Sequence, residues 1–78
     1  MAREVKIGQV YRHFKGRHYV VLDVVRDSED DEGRVVIYQA LYGARERWAR
    51  PLAMFLSEVD HEKYPEVGQR WRFEEVEV

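Results

Sequence analysis

From Gln9 to Arg50 the chain reads as short runs of valine and aromatic residues, each cut off by a single glycine or a polar stretch. That punctuation constrains the fold more than any other feature. β-branched and ring side chains fit a pleated, half-buried surface, and they lose rotamer freedom in a helix. Val, Ile and aromatic residues fill 24 of the 35 apolar positions, against nine for Leu and Ala. The chain therefore builds strands.

The runs have readable limits. The first spans about Gln9 to Phe14 and the second about Arg17 to Arg26. His13-Phe14-Lys15-Gly16 turns the chain between them, with Gly16 free to take the positive φ of a hairpin turn. A polar stretch, Asp27 to Gly33, separates off a third run at Arg34 to Tyr42. Gly43-Ala44-Arg45 then leads into a short fourth, Glu46 to Arg50. Pro51 to Val59 predicts the one helix, with Pro at its first position and Leu52, Phe55, Leu56 and Val59 forming a single apolar stripe. Arg70 to Val78 reads as a closing strand with Trp71 and Phe73 inward, where Glu75 breaks the alternation as a bulge or a fraying end.

In the second run Val20, Leu22 and Val24 share one face, and Tyr19, Val21, Asp23 and Val25 the other. In the third, Val35, Ile37 and Leu41 oppose Val36, Tyr38, Ala40 and Tyr42. Two mostly apolar faces imply a curled sheet whose outer face is partly covered by a helix or a terminal strand. The expected fold class is mainly β: a small SH3-like barrel or roll of about five strands with one short helix. The expected organisation is a single domain over residues 1–78.

Size and charge narrow the function. A chain of 78 residues buries only about 60% of its unfolded surface, which leaves little room for an enclosed cavity. Without Cys there are no disulfides, no thiolate metal sites and no thiol chemistry. A net charge of −2 gives no overall field toward nucleic acid. No apolar run approaches the roughly 18 residues of a membrane span, and Met1 to Lys6 lacks the apolar core of a signal peptide. A cytoplasmic protein that does not enter a membrane is the expectation.

Catalytic and metal motifs do not assemble. Asp27 to Glu32 holds five carboxylates in six positions, yet Gly33 falls one place late for a calcium loop, and strand patterns flank it rather than helices. A solvated hairpin loop is the reading. His13, His18 and His61 have no zinc-ligand spacing, Ser28 and Ser57 have no evident His partner, and the five glycines are dispersed singly. No metal and no cofactor are expected, and no enzyme.

Aromatic and basic side chains carry more meaning. Trp48 and Arg50 lie two apart on one face of a short run, with Arg45 and Arg47 beside them and Tyr38 and Tyr42 on one face of the run before. Exposed rings with guanidinium groups suit peptides, modified side chains or unstacked bases. The competing reading buries these rings as a second small core.

The sequence Gly8-Gln9-Val10-Tyr11-Arg12-His13-Phe14-Lys15-Gly16, followed by Tyr19-Val20-Val21-Leu22, resembles the opening motif of a small bacterial family, domain-of-unknown-function family 1653. Ser28-Glu29, Val36 to Gly43, Trp48-Ala49-Arg50-Pro51 and Met54-Phe55 continue the likeness. The resemblance implies an SH3-type roll of about five strands with a short helical turn, and it supplies no activity. Asp27 stands where the family usually has a histidine before Ser-Glu.

The functional expectation is a non-enzymatic binding module. Tyr11, His13, Lys15, Tyr42, Trp48 and Arg50 are expected to line one shallow groove that grips a peptide, another protein segment or a small anionic ligand. One alternative is a nucleic-acid binder using Arg45, Arg47, Arg50, Arg70 and Arg72. The other is an enzyme in which His13, Lys15 and Glu29 converge.

Overall fold

Tight turns convert the valine-rich runs into an antiparallel meander, of which the computed structural model describes residues 3–77. The strands are β1 (Val10–His13), β2 (His18–Asp27), β3 (Asp30–Ala40), β4 (Arg47–Pro51) and β5 (Phe73–Glu75), with one helix, α1 (Leu52–Phe55). They form one sheet in the order β4-β3-β2-β1-β5, with every pairing antiparallel. The mainly β class with five strands and one short helix is as the composition predicts. In the β1–β2 turn, His13 N–H donates to Arg17 O at 2.8 Å and Gly16 N–H to His13 O at 2.7 Å. Gly16 sits there at φ 99°, in the region that glycine enters without steric cost.

Alternation sorts the side chains into two faces. Tyr11, Val21, Val36, Tyr38 and Phe73 point inward and form the buried core with Phe55 of α1. The ring of Phe55 stacks on that of Phe73 at 4.1 Å and meets the Tyr11 ring edge-on at 5.3 Å. The sheet must curl for this core to exist. Laid flat at about 4.8 Å per strand step, β4 and β5 would stand roughly 19 Å apart. Instead the Arg50 guanidinium of β4 lies 5.8 Å from the Phe73 ring of β5.

The parity read for the second run holds only as far as Leu22. Val21 pairs with Tyr38, but the next pair is Asp23 with Ile37, so β2 carries one extra residue. Such a bulge exchanges the faces of everything beyond it. Val24, assigned by uninterrupted alternation to the face opposite Tyr19 and Val21, packs against the same core as they do. Val25 is turned outward and is 37% exposed.

Three other expectations are corrected. The acidic stretch is not an extended loop. Asp27 and Asp30 pair directly, and β3 begins at Asp30 instead of Arg34. Asp27 Oδ1 accepts the Glu29 N–H at 2.8 Å, which closes the turn locally, and the backbone ladder continues without needing apolar side chains. The helix stops at Phe55 instead of Val59, with Pro51 as the last residue of β4 and the N-cap. Beyond it, Val59 N–H donates to Arg70 O at 2.8 Å and Glu58 bridges to Trp71, so pairing with the closing segment displaces further helical turns. The predicted stripe still faces inward, with Phe55 and Val59 buried and Leu52 and Leu56 half-buried. Finally, α1 packs on the inner side of the sheet and leaves Leu22 and Val25 of the outer face exposed.

Candidate functional site

Because the sheet curls without joining its first and last strands, an opening remains between β4 and β5. An open pocket of about 170 Å³ occupies it, lined by His13, Tyr19, Tyr38, Trp48, Arg50 and Phe73. All five strands contribute. Pairing explains the convergence: Tyr38 lies opposite Trp48, Val36 opposite Arg50, and His13 opposite Phe73, all on the inner face.

Arg50 is the charged group of the pocket. Its Nε donates to the Tyr38 hydroxyl at 3.2 Å, which fixes the guanidinium plane. Among the described residues the ion pairs are Lys6–Glu75, Arg12–Glu74 and Arg70–Glu58, and none involves Arg50. The pocket lining holds no carboxylate either. A half-buried guanidinium beside rings and without a counter-charge is a site for an anion.

His13 responds to the same field. Burial, then the positive charges of Arg50, Arg72 and Lys15, lower its pKa to about 4 from the usual 6.5. Its Nδ1 accepts the Lys15 N–H at 3.1 Å, so the neutral ring carries its proton on Nε2. The depressed value has a consequence for stability. Below pH 6.5 the unfolded chain takes up a proton at His13 that the folded chain refuses. Stability from this residue is therefore full above pH 6.5, declines as pH falls, and is gone below about 4. His13→Gln is expected to flatten the decline between pH 6.5 and 4, as read from urea melts at stepped pH. Parallel curves for the two proteins would refute the assignment.

The six residues expected to line one groove are divided by the structure. His13, Trp48 and Arg50 meet in the pocket. Tyr42 lines a neighbouring depression of about 140 Å³ that shares Trp48 as its wall. Its hydroxyl lies 2.7 Å from that of Tyr19, and the Arg17 guanidinium covers its ring at 4.6 Å. Burial and this hydroxyl contact push the Tyr19 pKa up to about 12. Lys15 does not line the pocket; its ammonium sits about the Phe14 and Tyr64 rings at 6.0 and 5.8 Å. Tyr11 belongs to the core. It is 1% exposed, and its hydroxyl accepts the Lys6 N–H at 3.0 Å. Position two before His13 on β1 places both on the inner face, but Tyr11 lies under α1 and His13 at the mouth.

Trp48 decides between the two readings of the ring cluster. At 47% exposed it is a wall of the pocket and not a second core. Trp48→Ala is accordingly expected to cost no more than about 1.5 kcal/mol at an unchanged urea slope. A loss of roughly 3–5 kcal/mol, as for a fully buried ring, would contradict the placement.

Tyr19 and Phe73 join the site without a mark of their own in the sequence, while Tyr38 belongs to the ring cluster read around Trp48 and Arg50 but lies outside the six residues expected in the groove. Only cross-strand register separates pocket wall from core. The catalytic grouping does not form: Glu29 sits at the β2–β3 turn and His13 beside the start of β2. The nine residue steps from His18 to Asp27 at about 3.3 Å each put them roughly 30 Å apart. The five arginines also part company. Arg47 pairs with Gln39 on the outer face, opposite to Arg50, while Arg70 is held by Glu58 at 3.0 Å and lies 4.6 Å from the Trp71 ring. Among the described residues no group of three His, Asp or Glu could hold a metal ion, and no helix is long and apolar enough to cross a membrane.

Fold and pocket together define a small, curled five-stranded β domain with one aromatic-walled, cationic opening. The family model described as "Protein of unknown function (DUF1653)" matches residues 9–75. The chain belongs to that family. No curated protein and no solved structure matches it.

Proposed function

We propose that this protein is a non-enzymatic, cytoplasmic binding module that captures the anionic group of a small ligand in the pocket between β4 and β5. The observation that carries this reading is Arg50, half-buried among rings with no carboxylate against it among the described residues. Positive charge is concentrated here although the chain as a whole is at −2. We take the curled sheet as an SH3-like roll. Such scaffolds host many unrelated partners, so the reading rests on the pocket and not on the fold.

Titration of the isotope-labelled protein with acetate and phosphate, followed by NMR, is the test. Shifts are expected at His13, Trp48 and Arg50, and Arg50→Gln is expected to weaken binding at least about tenfold, the effect of losing a charged hydrogen bond. Unmoved pocket signals, or equal affinity in Arg50→Gln, would remove the reading. Binding of short oligonucleotides that weakens steeply with salt would favour nucleic acid instead.

A further inference from the structure

We infer that the ligand of this pocket is a flat, single-ring carboxylate, its ring against Trp48 and its carboxylate on Arg50. This inference rests on the anion-binding reading above and adds the shape and charge of the molecule.

Size comes first. A cavity of about 150 Å³ is enough to hold benzene, and this one is about 170 Å³. One six-membered ring with a small substituent fills it, whereas a nucleotide would leave its sugar or its base outside the opening. The lining then selects a flat ring. Five of its six side chains are rings, namely His13, Tyr19, Tyr38, Trp48 and Phe73. Tyr38, Phe73 and Tyr19 meet one another edge to face at 5.4–5.8 Å, so the floor is a fixed set of ring edges and faces. One face of Phe73 is already taken by Phe55 at 4.1 Å. Trp48, about half exposed on the edge strand, is the ring with surface to offer a partner.

Arg50 selects the anion. Its Nε is engaged by the Tyr38 hydroxyl, which leaves the two Nη groups to approach an acceptor end-on. Two coplanar donors match the two oxygens of a carboxylate. Arg50 is the cationic side chain of the lining itself, with Arg72 and Lys15 close enough to act on His13, and its planar fork pairs in plane with a planar carboxylate. His13 adds one neutral donor, since its Nδ1 is occupied by the Lys15 N–H and its Nε2 holds the proton. The substituent is therefore a carboxylate, with one neutral hydrogen-bond donor beside it.

The test is a calorimetric and NMR titration of the full chain with benzoate, acetate, cyclohexanecarboxylate, benzamide and inorganic phosphate. Benzoate is expected to bind about tenfold more tightly than acetate, and more tightly than its non-planar analogue, through ring stacking. Trp48→Leu is expected to weaken benzoate by about tenfold and acetate by less, so that the preference for the ring is lost. Arg50→Gln is expected to weaken both. Benzoate no tighter than acetate, or phosphate tighter than benzoate, would overturn the inference and leave the anion site standing. Benzamide equal to benzoate, or no response to any anion, would overturn the anion site as well.

Discussion

Phe73→Ala is expected to lower the unfolding free energy by about 3–5 kcal/mol, the range for deleting a fully buried aromatic ring. The residue is 1% exposed, stacks on Phe55 and meets Tyr19, Tyr38 and His13 edge to face. It is also the only β5 residue in the buried core, so its ring is what holds the closing strand over the sheet. Proteins carry roughly 0.05–0.15 kcal/mol of stability per residue, which for this length gives about 4–12 kcal/mol. At the low end of that range the variant sits near its folding midpoint at 25 °C, and at the high end it stays folded with a clearly lowered urea midpoint. Urea melts followed by far-ultraviolet circular dichroism measure this, and a loss below about 1.5 kcal/mol would mean that β5 is not anchored through this ring.

The second large effect tests the bulge in β2. Val24→Asp is expected to cost about 2–4 kcal/mol, because it places a carboxylate against the core with no partner. Val25→Asp, one residue on and 37% exposed, is expected to stay within about 1 kcal/mol. Uninterrupted alternation from Tyr19 and Val21 demands the reverse order, with Val25 inward and Val24 outward. Comparing the two urea midpoints therefore reads the register directly. Equal losses, or a larger one for Val25→Asp, would remove the bulge at Leu22.

These two experiments separate what could be read in the chain from what could not. Phe73 was legible as an inward residue because its neighbours alternate polar and apolar. Val24 was not, since Leu22 and its neighbours are all apolar or short, and nothing in their identity marks an extra residue in a ladder. The stripe Leu52, Phe55, Leu56 and Val59 fits a helix to Val59 and equally fits the observed short helix followed by a bridged segment. Local periodicity cannot weigh a helical hydrogen bond against one to Arg70, eleven residues further on.

At the site, the density of rings and guanidinium groups in the sequence points to Trp48 and Arg50, while His13 and Tyr11 enter through the family motif from Gly8 to Gly16. Nothing in the neighbours of Tyr11 signals that α1 covers it. Tyr19 carries no such mark and reads as an ordinary residue of β2.

What the sequence by itself determined was the strand composition, the turn at Gly16, the sorting of β3 into two faces and the basic, ring-rich character of the Trp48–Arg50 segment. Each of these follows from short-range sterics or from the period of two along a strand. Only the tertiary structure decided that the sheet curls until β4 faces β5, that a bulge at Leu22 exchanges the faces of β2, and that Arg50 is left in an opening without a carboxylate. Those depend on which strand lies beside which and in what register, and the free energy of that choice resides in contacts between residues far apart in the chain.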